Sequence, residues 1–220
     1  MTSRQQYHDE LEALHSRLLE MGSLVEEVVA RSVDSLAQLD VDAAQNVIDT
    51  DDTLDAMEME IEQRCIRLIA LQQPMAADLR LLATILKVVT DLERMADNAV
   101  NISEITLRIA GQQLVKPLVD IPKMAALAVQ MVHDALAALV QRDEALARAV
   151  CERDDAVDDM YAALFEELVD MMKSDTDPIR VSQCANLMFT ARFLERIADH
   201  ATNIGERVVY LVSGERVKLG

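Results

Sequence analysis

Apolar residues recur at helical spacing along nearly the whole chain, and the pattern predicts six long helices. The first covers residues 3–39, with Ser3 as a capping residue and an inward face of Leu11, Leu14, Leu18, Met21, Val25, Val28, Val29, Ser32 and Leu36. The second covers residues 41–72. The third runs from Pro74, a residue suited to the first helical turn, to Gly111, suited to a left-handed cap. A polar, Pro-containing stretch at residues 112–122 marks a boundary. The fourth, fifth and sixth helices are expected over residues 118–142, 143–172 and 178–212. The last follows a turn in which Asp177 caps and Pro178 opens the helix.

The six helices are three written twice. Leu92-Glu93-Arg94-Met95-Ala96-Asp97 returns as Leu194-Glu195-Arg196-Ile197-Ala198-Asp199, and Asn101 and Glu104 return as Asn203 and Glu206. Asp51 and Asp55 correspond to Asp154 and Asp158. An internal repeat of this kind predicts an all-α chain of two tandem three-helix bundles, residues 1–112 and 118–220, each up-down-up, with helices about 45 Å long.

Composition agrees. The chain is rich in Ala, Leu, Val and Glu, has only 3% aromatic residues, and holds few Gly and Pro; that argues against a sandwich or barrel. A formal net charge of −18 repels nucleic acid and anionic lipid. It would repel free phosphate too, unless a metal or a local Arg cluster intervened. Residues 1–10 are polar, without a signal-peptide pattern. The longest greasy run, residues 81–89, is short and contains Lys87, so no membrane-spanning helix is expected. Cys65, Cys151 and Cys184 are odd in number and widely spaced, which suits buried free thiols in a reducing cytoplasm.

In each repeated stripe Glu, Asp, Asn and Glu fall at i, i+4, i+8 and i+11, one face of a helix. In an antiparallel hairpin, residues equidistant from the turn lie side by side. The midpoint between Asp51/Asp55 and Glu93/Asp97 falls on Pro74, and that between Asp154/Asp158 and Glu195/Asp199 falls beside Thr176, both in predicted turns. Each bundle is therefore expected to bring two acid pairs level. A solvated acidic face is the bland alternative. Converging carboxylates repel unless compensated, by Arg94 and Arg196 or by a cation. The all-oxygen donor set suits Mg, Ca, Mn or ferric iron better than Zn.

His8, His15, His133 and His200 share no spacing, and the methionines read as core filler. No Gly-rich phosphate loop, nucleophile elbow or kinase motif set is present. The residues read as a regulatory interaction protein and not an enzyme. The alternative is a metal-dependent helical-bundle enzyme of phosphohydrolase or di-iron type, although the paired Glu-x-x-His set of the latter is absent.

The duplicated Leu-Glu-Arg-(Met/Ile)-Ala-Asp, the segment Gln73-Pro74-Met75-Ala76-Ala77-Asp78-Leu79-Arg80 and the two Asp-x-x-(Leu/Val)-Asp segments resemble the PhoU family over essentially the whole chain. The resemblance implies tandem three-helix bundles whose acidic motifs bind metal clusters, iron or manganese first. It implies Asp51, Asp55, Glu93, Asp97, Asp154, Asp158, Glu195 and Asp199 as ligands, with Asn101, Glu104, Asn203 and Glu206 as additional ones. It also implies a cytoplasmic, dimeric negative regulator of the phosphate-starvation response. Such a regulator links the ATPase of a phosphate ABC transporter to a sensor histidine kinase, with neither nucleic acid nor membrane insertion. Asp78-Leu79-Arg80 resembles a partner-contact region; helix-start electrostatics would place Asp78 there equally well.

Overall fold

The computed structural model describes residues 3–219, and these form eight α-helices. They are α1 (Ser3–Gln38), α2 (Val41–Ile48), α3 (Asp51–Gln72), α4 (Ala77–Ile109), α5 (Asp120–Gln141), α6 (Glu144–Glu152), α7 (Asp154–Ser174) and α8 (Pro178–Ser213). The two extra elements arise because the second and fifth expected helices each break after about two turns. At the first break Thr50 returns its hydroxyl to the Asn46 carbonyl at 2.7 Å, and the Thr50 N–H donates to Val47 O in a tighter turn. A Thr that bonds back to the preceding turn bends a helix. At the second, the Arg153 N–H makes the equivalent tight bond to Val150 O. Asp40 and Asp143 cap α2 and α6 by accepting from the N–H of Ala43 and Leu146.

The other boundaries moved little. Pro74 lies in the turn rather than at the helix start: Gln73 takes a left-handed cap, its N–H on Ile69 O, and α4 begins only after Ala76. Asp177 and Pro178 open α8 as expected, and Gly214 at φ +78° closes it. The capping side chain expected at Ser3 lies outside what is described.

The repeats are two three-helix bundles that share one hydrophobic core. The long third helices, α4 and α8, pack on each other, as do α1 and α5; α3 and α7 lie outermost on α4 and α8. The inward face expected for α1 is buried throughout, Ser32 included, whose hydroxyl donates to Val29 O. The connection over residues 110–119 is tied to α8: buried Gln183 accepts from the Val115 N–H at 2.5 Å and donates to Gln113 O. Among the described residues α5 is the one helix long and apolar enough to cross a membrane, a candidate that the sequence pattern had passed over. Its apolar side, from Ile121 through Leu139, is buried in the shared core. All three cysteines are free and buried.

A charged group sits in the seam between the repeats. Asp91 on α4, 6% exposed, accepts from Arg207 Nε at 2.9 Å and pairs with His200 Nδ1 at 3.1 Å, both on α8. His200, which shares no spacing with the other histidines, is thus a partner of the opposite bundle.

Candidate functional site

The level placement of the acid pairs is visible in their electrostatics. In the first repeat burial raises the Glu93 carboxyl to about 7, with Asp97 adding and Arg94 opposing; Glu58 and Asp55 across on α3 add further. Burial likewise raises Asp51, with Asp55 and Asp97 adding. In the second repeat burial, then Asp199 and Asp158, bring Asp154 to about 6, and burial, then Asp199, bring Glu195 to about 6. Asp158 is raised by burial and by Asp199. Each hairpin thus sets α3 acids against α4 acids, or α7 acids against α8 acids.

The two clusters use the same frame because each rides on a buried apolar ladder. Leu92, Met95 and Ala96 hold the motif of α4 against the core, as Leu194, Ile197 and Ala198 hold that of α8. The acids fall at the margin of that face. Asp154 and Glu195 are nearly enclosed, at 7% and 8% exposure, whereas Asp55, Asp158 and Asp199 are exposed.

Compensation differs from the sequence expectation. Arg94 does serve the first cluster, with Nη1 3.1 Å from Asp97 Oδ2 and Nε 3.2 Å from Glu93 Oε2. In the second cluster the cation is Arg192, which pairs with Glu195, while Arg196 is exposed. By the repeat offsets Arg192 corresponds to Thr90, and Glu58 corresponds to Tyr161. The first cluster therefore gains an acid, Glu58, where the second has an aromatic ring with the Arg192 guanidinium 5.9 Å from its centroid. Pattern matching between copies missed both residues because they break the repeat.

Compensation is also incomplete. Glu93 Oε2, Asp154 Oδ1 and Glu195 Oε2 are buried and make no hydrogen bond. Glu93 Oε2 has the Arg94 guanidinium 3.2 Å away as an ion pair only, and the other two oxygens have no donor, so all three can accept a cation or a proton. Hard-oxygen donors fit that cation. No three Asp, Glu, His or Cys side chains among the described residues stand at metal-holding distance as placed; the arginines occupy the near positions.

The downstream stripe residues are engaged differently. The Asn101 amide donates to Asp97 O at 2.7 Å, a bond within its own helix, and Glu104 is exposed. Asn203 and Glu206 line a cavity between α4, α8 and the C-terminal segment, and Glu206 Oε1 accepts from the Leu219 N–H at 2.6 Å. Tip residue Asp78 lies near Tyr7, and Arg80 packs against Gly214 at the end of α8.

This duplicated architecture has close counterparts. Residues 18–106 and 121–208 each match the PhoU domain. A phosphate-specific transport system accessory protein PhoU homolog of Clostridium acetobutylicum is 40% identical over 218 residues, 99% of either chain. One of Aquifex aeolicus is 43% identical over 209 residues, 95% of this chain and 94% of that one. The crystal structure of PhoU from Pseudomonas aeruginosa aligns with a TM-score of 0.90 at 38% identity, covering 95% of this chain and all of that one. That of the phosphate transport system regulatory protein PhoU from Streptococcus pneumoniae aligns at 0.89 and 31% identity, over 97% of this chain and 100% of that one. Similarity of this extent, spanning both repeats and both acid stripes, makes the chain a member of the PhoU family.

Proposed function

We propose that the protein is a metal-binding accessory regulator of phosphate-specific transport. The observation that carries the reading is near-full-length similarity to proteins named as accessory to that system. In this reading it works in the cytoplasm as a dimer. It restrains the phosphate-starvation response by connecting the ATPase of the phosphate transporter to a sensor histidine kinase. It acts by contact and not by turnover.

The paired acid clusters supply the metal part of the proposal. Asp51, Asp55, Glu93 and Asp97 would hold ions on the first repeat, and Asp154, Asp158, Glu195 and Asp199 on the second. Iron or manganese is the first choice, with Mg, Ca and Zn as the others. A bound cation would take over the charge balance that Arg94 and Arg192 supply only in part. The chain's own part is to hold the acids level on rigid helices and to let Arg94 and Arg192 swing away.

The test is complementation in a bacterium lacking its own PhoU, with a phosphate-starvation reporter read in phosphate-replete medium. The protein is expected to restore repression, and a variant carrying Glu93→Gln and Asp154→Asn to restore it only in part. A reporter that stays fully induced despite normal protein levels would refute the regulatory assignment.

A further inference from the structure

The cavity between α4, α8 and the C-terminal segment gathers cations on a chain of acidic balance. Its volume is about 420 Å³, within the range of small-molecule sites. Three cations line it: Lys87 from α4, Arg207 from α8 and Arg216 from the C-terminal segment. Arg207 is engaged with Asp91 through Nε. Lys87 has no acidic or hydrogen-bond partner among the described residues, and Arg216 has only the face of Tyr210, 5.6 Å from its centroid.

Neutral polar groups in the same wall are also unmatched. Thr84 is 3% exposed, yet its hydroxyl makes neither the usual bond to the preceding turn nor any other among the described residues. The Asn203 amide is likewise without a partner. One acid intrudes, Glu206, and it is held by the Leu219 N–H. That bond, with Val217 and Leu219 packed on the core, fixes the C-terminal segment as a wall of the cavity.

We propose that this cavity binds a small phosphorylated anion. Two uncommitted cations, a buried hydroxyl and a side-chain amide are the donors that phosphoryl oxygens require. The net charge of −18 opposes such an anion, so a local cluster of cations is needed to hold one. The space exceeds that of one tetrahedral oxyanion, so an organic phosphate fits as well as an inorganic one. The cavity shares Asn203 and Glu206 with the end of the second stripe, but its cations need no metal to hold an anion.

Calorimetric titration of the full chain in EDTA, at low salt, with orthophosphate, pyrophosphate and AMP tests it. At least one should bind saturably. Affinity should fall roughly tenfold or more in Lys87→Gln and in Arg216→Gln, and should rise in Glu206→Gln, which keeps an acceptor for Leu219 but loses the charge. Both cations are exposed, so neither change endangers the fold, and unaltered helical circular dichroism checks this. AMP binding without orthophosphate binding would identify an organic ligand; equal or tighter orthophosphate binding would identify free phosphate, and either supports the site. No saturable binding by any of the three, or affinities unchanged in both cation variants, overturns it. Because chelator is present, failure here leaves the metal reading untouched.

Discussion

Asp154 on α7 is enclosed with Asp199 of α8 beside it, and burial first and that carboxylate second push Asp154 up to about 6. In the first cluster Glu93 stands at about 7. Both are raised acids, so the folded state holds protons that the unfolded state releases. The metal-free protein should therefore lose stability as pH rises, between about 4 and 6 for Asp154 and between about 4.5 and 7 for Glu93. Thermal melts in EDTA across pH 5 to 8 check this, with a variant carrying Glu93→Gln and Asp154→Asn as reference. The native chain should fall relative to the variant as pH increases. A constant difference would contradict the coupling.

The same substitutions should stabilise the metal-free protein at neutral pH. Each removes a charge that burial and neighbouring carboxylates disfavour, and relief of about 1 kcal/mol or more is expected per site. Denaturant melts at pH 7.5 measure it. Added manganese or iron should reverse the ranking, because only the native acids gain a cation.

The sequence made the repeat, the helical class and the level acid pairs legible because all three follow from local period and symmetry. Leu92 and Leu194 mark the same buried ladder in each copy, and Pro74 and Asp177 mark the turns between the acid-bearing helices. What escaped were features that break symmetry or join distant segments. The chain bends at Thr50 and at Arg153 through the same tightened backbone hydrogen bond, a choice that helical period does not report. Arg192 and Glu58 have no equivalents in the other copy. The Asp91 contacts to His200 and Arg207 depend on how one bundle docks on the other, which period within each bundle does not encode.

That docking gives a third prediction. Asp91→Ala removes the acceptor of Arg207 and His200 in the seam between α4 and α8, and leaves the partly buried Arg207 uncompensated. A loss of about 2 kcal/mol or more is expected. A double-mutant cycle with Arg207→Ala should recover much of it; strict additivity would show that the pair is not coupled.

Gly205 is a fourth test point. A Cβ there would meet Cys151 Sγ at 2.8 Å and the Ala147 carbonyl oxygen at 2.9 Å. Ala gains about 1 kcal/mol over Gly in a helix, but overpacking against a backbone oxygen costs about 1–3 kcal/mol. Gly205→Ala should therefore be neutral to destabilising, with α6 loosened from α8, and faster amide exchange in α6 would register it. A clearly stabilised protein would mean that the α6–α8 contact has room for a methyl group.

The claim that the duplicated acids are metal sites is tested most directly by elemental analysis of tag-free protein beside a variant carrying Asp97→Asn and Asp199→Asn. Stoichiometric iron or manganese is expected in the native chain and is expected to be lost from the folded variant. Equal metal content in the two proteins, or none in either after reconstitution, would contradict it.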